Sequence, residues 1–274
     1  MPNFVPYFSL IVLSLAVLIW IFMQTKQFHT FVIYIAFAGM IYVFEIVIVV
    51  VFAAYEYKPQ ITSIRYLDNM IGASVSNTIT VPTIATLISV FQLRFRWILL
   101  FALMFGFIET LFVHLGVYVH HWWRSCFTVG SLLLYFSLTK WWFRQFRSGS
   151  RPIQAVSFFV YTMALVLTFM FVFLLLGIRL LEPGIFKDVY RDDTFSLSVY
   201  GAVKALMITA AIFWLKNWRW LIAAAAVIIA TQSILIQSDI LRIFIPMRLY
   251  ALIYFACCCL VIGLCYLARR SVTT

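Results

Sequence analysis

Nine apolar runs, separated by short connectors that hold nearly all the charge, decide what this chain can fold into. They cover roughly residues 7–23, 31–54, 70–92, 97–118, 125–143, 154–178, 196–215, 219–238 and 249–268. Most approach or exceed the ~20 residues that a helix rising ~1.5 Å per residue needs to cross ~30 Å of hydrocarbon. With 65% hydrophobic and only 11% charged residues, what remains cannot cover a water-facing surface. Lipid offers the backbone no partners, so each run must bond internally as a helix. The expected fold is all-α: a polytopic transmembrane helix bundle of about nine spans, with the lipid bilayer as its main partner.

Spans and connectors use all 274 residues, so a single integral membrane domain is expected, with no nucleic-acid or nucleotide module and no cofactor. Nothing basic precedes the first run and no A-x-A-like site follows it, which argues against a cleavable signal. Connectors after odd-numbered spans, together with the C-terminus, hold eleven Lys or Arg and no acid; even-numbered ones hold eight, mixed with seven Asp or Glu. By the positive-inside rule the N-terminus lies outside and the C-terminus inside. Trp122 and Trp123 then mark the outer interface, and Trp141, Trp142, Trp214, Trp218 and Trp220 the inner one.

The two long even-numbered connectors echo each other. Pro59-Gln60-Ile61 with Tyr66 and Asp68 matches Pro183-Gly184-Ile185 with Tyr190 and Asp192 at an offset of 124, and after a one-residue slip Arg96-Trp97 matches Arg219-Trp220. Glu109 falls opposite Gln232 and His114 opposite Gln237. The expected organisation is an extra first span (1–29) and two four-helix units (30–150 and 151–274), spans 2–5 repeating as 6–9 in parallel. Asp68 and Asp192 stand where a carboxylate caps the next helix; a gate or ligand loop is the other reading.

Three ionisable residues fall within spans: Glu45, Glu109 and Lys204. Each costs a few kcal/mol near mid-bilayer and therefore faces the bundle or water with a partner. Two readings fit: a static ion pair of Lys204 with one of the glutamates, or a site for a small solute or proton. Span 3 is the most polar, with Ser74, Ser76, Asn77, Thr78, Thr80, Thr83 and Thr86 around Pro82. Pro82 frees the carbonyl of Thr78, which a bound group could use. In the repeat frame Asn77 lies opposite Gly201 and Thr80 opposite Lys204, matched interruptions of the kind that mark transport sites; close helix packing through small residues is the competing account.

At ~100° per residue along span 4 and the residues that follow it, His114, Tyr118 and His121 share one face near its outer end, and Glu109, Gly116 and His120 another. Two imidazoles seven residues apart hold a metal only with further ligands, so no metal site is assigned. The five cysteines lack C-x-x-C spacing and read as packing residues, with Cys126 near an interface a candidate for acylation. No H-E-x-x-H, G-x-S-x-G or Gly-rich phosphate loop occurs, which counts against an enzyme or an ATP-driven pump.

Tyr55-Glu56-Tyr57-Lys58-Pro59, Asp68-Asn69-Met70-Ile71-Gly72-Ala73, Ile108-Glu109-Thr110-Leu111-Phe112 and His121-Trp122-Trp123-Arg124 resemble an uncharacterised family of multi-pass membrane proteins from Gram-positive, often spore-forming bacteria. The resemblance implies a bacterial plasma membrane and no particular chemistry. The functional expectation is a secondary transporter or permease for a small solute or ion, with Glu45, Asn77, Thr80, Glu109, His114, Lys204 and Gln232 as its site. The alternative is a non-enzymatic assembly or sensor component whose buried charges fix helix packing.

Overall fold

The computed structural model describes residues 2–273. Among them, α-helical and π-helical segments join end to end into nine rods. These are α1 (Phe4–Thr25); α2 (Phe28–Glu45) continued by a π-segment (Ile46–Val51); and α3 (Arg65–Ser74), a π-segment (Val75–Thr80) and α4 (Val81–Val90) in one rod. Then follow α5 (Phe95–His114), α6 (Ser125–Arg147), α7 (Arg151–Leu175), α8 (Val189–Thr209) with a π-segment (Ala210–Leu215), α9 (Trp218–Gln237) and α10 (Met247–Thr273). Eight rods are long and apolar enough to cross a membrane, and they mark the chain as a multi-pass membrane protein. The exception is α6, whose last turns carry Lys140, Arg144 and Arg147. The fifth expected span, 125–143, is thus a 23-residue helix, but a less apolar one than the sequence pattern suggested.

The chain divides into two compact units, Met1–Ile153 and Gln154–Thr274. In the first, strands β1 (Tyr55–Tyr57) and β2 (Tyr118–His120) form an antiparallel pair with Tyr55 opposite His120 and Tyr57 opposite Tyr118. In the second, β3 (Arg179–Leu181) and β4 (Leu241–Ile243) pair with Arg179 opposite Ile243 and Leu181 opposite Leu241. The elements of one unit recur in the other at offsets of 124 and then 123: β1 with β3, the start of α3 with that of α8, β2 with β4, and α5 with α9. Backbone turns recur too. Positive φ angles occur at Ala53 and Gly177, Gln60 and Gly184, Gln92 and Lys216, and, past the slip, Gly116 and Asp239.

Local chemistry accounts for the breaks. After His114 the chain turns through Gly116 at φ 71°, and the Val117 amide closes back on the Phe112 carbonyl at 3.0 Å. Glycine takes that left-handed position without strain, and the turn it makes ends the helix. Tyr118 and His120 are therefore strand residues, and the shared helical face expected for His114, Tyr118 and His121 does not exist. In the rod of α3 and α4, Pro82 lacks an N–H and the turn before it widens into the π-segment. The Thr80 hydroxyl donates to the Val75 carbonyl, five residues back, at 3.0 Å.

Candidate functional site

The polar groups of the first unit gather where the β1–β2 hairpin meets the helix ends. The Tyr7 hydroxyl on α1 donates to the Val117 carbonyl at 2.5 Å and accepts from the Lys58 amide at 3.2 Å, which latches the first helix to the hairpin. Tyr7, Tyr55, Tyr118, Phe112 and Trp123 form one apolar cluster. Trp123 is buried within it and is not an interfacial belt residue, whereas Trp122 is exposed and donates to the Phe52 carbonyl at 2.9 Å. Burial pushes the Tyr55, Tyr57 and Tyr118 phenols up, so each remains an O–H donor.

Glu45 lies at the last turn of α2, immediately before the π-segment, and is only 8% exposed. The Tyr55 hydroxyl donates to its Oε1 at 2.5 Å. Its Oε2 has no hydrogen-bond partner, nor has Nδ2 of buried Asn77, which sits on the neighbouring π-segment. No cationic side chain among the described residues lies within ion-pair distance of Glu45. The Asn77 side chain is the polar neighbour of the Glu45 carboxyl; Glu45 ends α2 where the π-segment begins, and Asn77 lies within the other π-segment.

Other buried acids are occupied. Asp68, in the first turn of α3, accepts from the amides of Gln60, Ile61 and Thr62 at 2.9, 2.7 and 3.2 Å. It pins the preceding loop and does not cap its own helix with a side-chain bond, but it stands in the first turn of α3, where its charge favours the helix dipole as expected from sequence. Glu56 takes a two-pronged bond from Arg65, both arms at 2.6 Å, and His121 Nε2 stands 3.7 Å away. The Arg65 bonds hold the Glu56 carboxyl below the usual carboxylate range. Glu109 is bonded by His120 Nε2 at 2.7 Å and by the Thr128 hydroxyl, which itself accepts from the Trp123 indole at 2.7 Å. His114 Nδ1 approaches only the Thr110 carbonyl of its own helix, at 2.9 Å, and the Thr80 hydroxyl is used within its π-turn. The carbonyl freed by Pro82 is also taken: Tyr34 donates to Thr78 O at 2.9 Å.

In the second unit Asp192 repeats the work of Asp68, accepting from the amides of Gly184, Ile185 and Phe186 at 2.8, 2.8 and 2.9 Å. The next residue repeats as well. Asn69 accepts from the Tyr57 amide at 2.8 Å, and Asp193, 124 residues on, accepts from the Leu181 amide at 2.6 Å. Asp193 also forms a fully buried ion pair with Arg179 at 2.6 Å, and Arg179 donates to the Met170 carbonyl at 2.9 Å. Sequence reasoning missed this pair because both residues fall in a charged connector. The offset of 124 sets Arg179 opposite Tyr55 and Asp193 opposite Asn69.

Lys204 is 3% exposed, and no carboxylate among the described residues of its unit lies within ion-pair distance. Its ammonium lies 3.8 Å above the Tyr200 ring, 3.3 Å from the Tyr254 hydroxyl and 3.4 Å from the Met170 sulfur. Cation–π attraction and weak acceptors stand in for a counter-ion. Nearby on the next rods, Gln232 donates to the Tyr250 hydroxyl while its Oε1 is unpaired. The expected residues therefore form several local groups. Glu45 adjoins Asn77, Glu109 is engaged by His120, and Lys204 is caged by aromatics. Among the described residues no cluster of three His, Cys, Asp or Glu has metal-binding geometry. No protein-family model, curated protein or solved structure matches the chain.

Proposed function

We propose that this protein is a carrier for a small solute or ion in a bacterial plasma membrane, built from two four-rod units that arose by duplication, with α1 added to the first. The observation that carries the reading is a division among its buried charges. Glu56, Asp68, Glu109, Asp192, Asp193 and Arg179 are all matched by ions or multiple donors. Among the described residues, Glu45 and Lys204 alone of the intramembrane ions have no ion-pair partner; Glu45 also leaves Oε2 unbonded, and Lys204 meets only a ring, a phenol and a thioether. Unmatched charge in a low-dielectric interior costs stability, and membrane proteins retain it where ions or substrates pass.

In this reading Glu45 is the proton- or cation-coupling carboxylate and Asn77 its polar neighbour. Lys204 attracts an anionic group, and Gln232 supplies a free acceptor. The N-terminus lies outside and the C-terminus inside, following the distribution of Lys and Arg. Recurrence of breaks and polar residues at matching positions supports the carrier reading over a passive scaffold. A second reading, a non-enzymatic assembly or sensor component, draws support from the loops pinned by Asp68 and Asp192, which stiffen both units.

The test is transport by purified protein in liposomes under an imposed pH gradient, followed with an internal pH dye. A panel of amino acids, carboxylates, sugars and inorganic ions would be added in turn. At least one solute should change the signal, and Glu45→Gln and Lys204→Met should each reduce that rate by about tenfold or more. Wild-type rates in both variants would remove the proposed site. A response to no solute, with both variants less stable than wild type, would favour the scaffold.

A further inference from the structure

Away from these polar groups the first unit carries an apolar groove between α1, α4 and α5. Ala16 and Trp20 line it from α1, Leu87 from α4, Leu93 from the connector before α5, and Trp97 and Phe101 from α5. The lining runs from Trp97 to Phe101 on one side and from Trp20 back to Ala16 on the other, about 6 Å of helix each. Both stretches adjoin the connectors at Lys26 and at Gln92–Arg94, so the groove opens near one end of the rods. Trp20 and Phe91 pack with ring centres 5.1 Å apart at that end.

The rim is basic. Lys140 on α6 donates to the carbonyl of Leu93, a lining residue, at 2.6 Å, which fixes an ammonium beside the groove. Arg94 and Arg96 are both exposed and stand between the lining residues Leu93 and Trp97. The stretches 16–31, 87–101 and 135–153 contain no Asp or Glu to neutralise them. An apolar trough beside three cations and no acid is complementary to a hydrocarbon chain with an anionic head, and in a bilayer that is an anionic phospholipid with its phosphate diester.

We propose that this groove binds one anionic phospholipid, with an acyl chain against Trp20, Trp97 and Phe101 and the phosphate at Arg94 and Arg96, where Lys140 adds charge. The site is independent of Glu45 and Lys204 and stands whether or not the protein is a carrier. A zwitterionic lipid would fill the trough equally well but gains less from the rim. A free phosphate ester would gain from the rim but not from the trough.

Native mass spectrometry of the delipidated protein, titrated with phosphatidylglycerol or phosphatidylcholine of identical chains, distinguishes these. Phosphatidylglycerol should be retained at lower concentration by roughly tenfold or more, given the attraction of each base near a lipid phosphate. The double variant R94Q/R96Q, altered only at exposed positions, should lose that preference and still bind phosphatidylcholine. Ala16→Trp, which fills the trough, should lose both lipids, and glycerol 3-phosphate should not compete. Equal affinity for the two lipids would overturn the proposal. So would a preference that survives R94Q/R96Q, displacement by glycerol phosphate, or unaltered binding to Ala16→Trp.

Discussion

A carboxylate that collects three backbone amides is satisfied without any cation, and Asp68 and Asp192 are each held this way. Their importance was legible in the sequence through the common offset. Their task was not, because the donors come from a loop whose path only the fold defines. Lys204 presents the opposite case: burial made it conspicuous, but its partners are a ring, a phenol and a thioether, none of which a search for opposite charges would find. Glu56 permits a test by pH. Its Arg65 bonds lower its titration point relative to the unfolded chain, so their stabilisation is full above the ordinary carboxylate range and is lost as pH falls through the lowered value. Arg65 is 77% exposed, so the effect is small. Melting temperatures of wild type and Glu56→Gln should differ slightly at neutral pH and converge below about pH 4. A difference that persists undiminished at lower pH would exclude the Arg65 latch as its source.

At the scale of elements, hydropathy located the rods but could not register their irregularities. A π-segment changes which backbone groups meet while leaving composition untouched, so Ile46–Val51, Val75–Thr80 and Ala210–Leu215 had no signature beyond Pro82. The premature end of α5 did have one, Gly116, and reading it as a stop would have removed the supposed histidine face. Close approach is another element-scale constraint: a Cβ at Gly72 would lie 2.4 Å from Cβ of Tyr57, so α3 rests directly on β1. Gly72→Ala should therefore push the helix off the hairpin and destabilise the protein by about 1–3 kcal/mol, whereas Gly130→Ala meets open space and should be neutral. Thermal unfolding in detergent checks both, and equal melting temperatures for the two variants would contradict the packing described.

For the whole molecule, the apolar runs made the membrane assignment readable at once, and a few echoed residues gave the offset at which strands, turns and helices of the two units recur. Charge partnerships were the illegible part, since Tyr55 and His120 engage the two glutamates through a hairpin that no periodicity announces. On the proposed function, Glu45 and Lys204 are kept for transport at some cost to the fold, while Arg179 and Asp193 hold it together. Melting temperatures of single variants test this without knowledge of any substrate. Asp193→Asn, which leaves a buried guanidinium uncompensated, should lose about 3–5 kcal/mol of stability. Glu45→Gln and Lys204→Met should match or exceed wild type, because each removes an unmatched charge from an apolar interior. A fall in either as large as that of Asp193→Asn would show that these charges are structural.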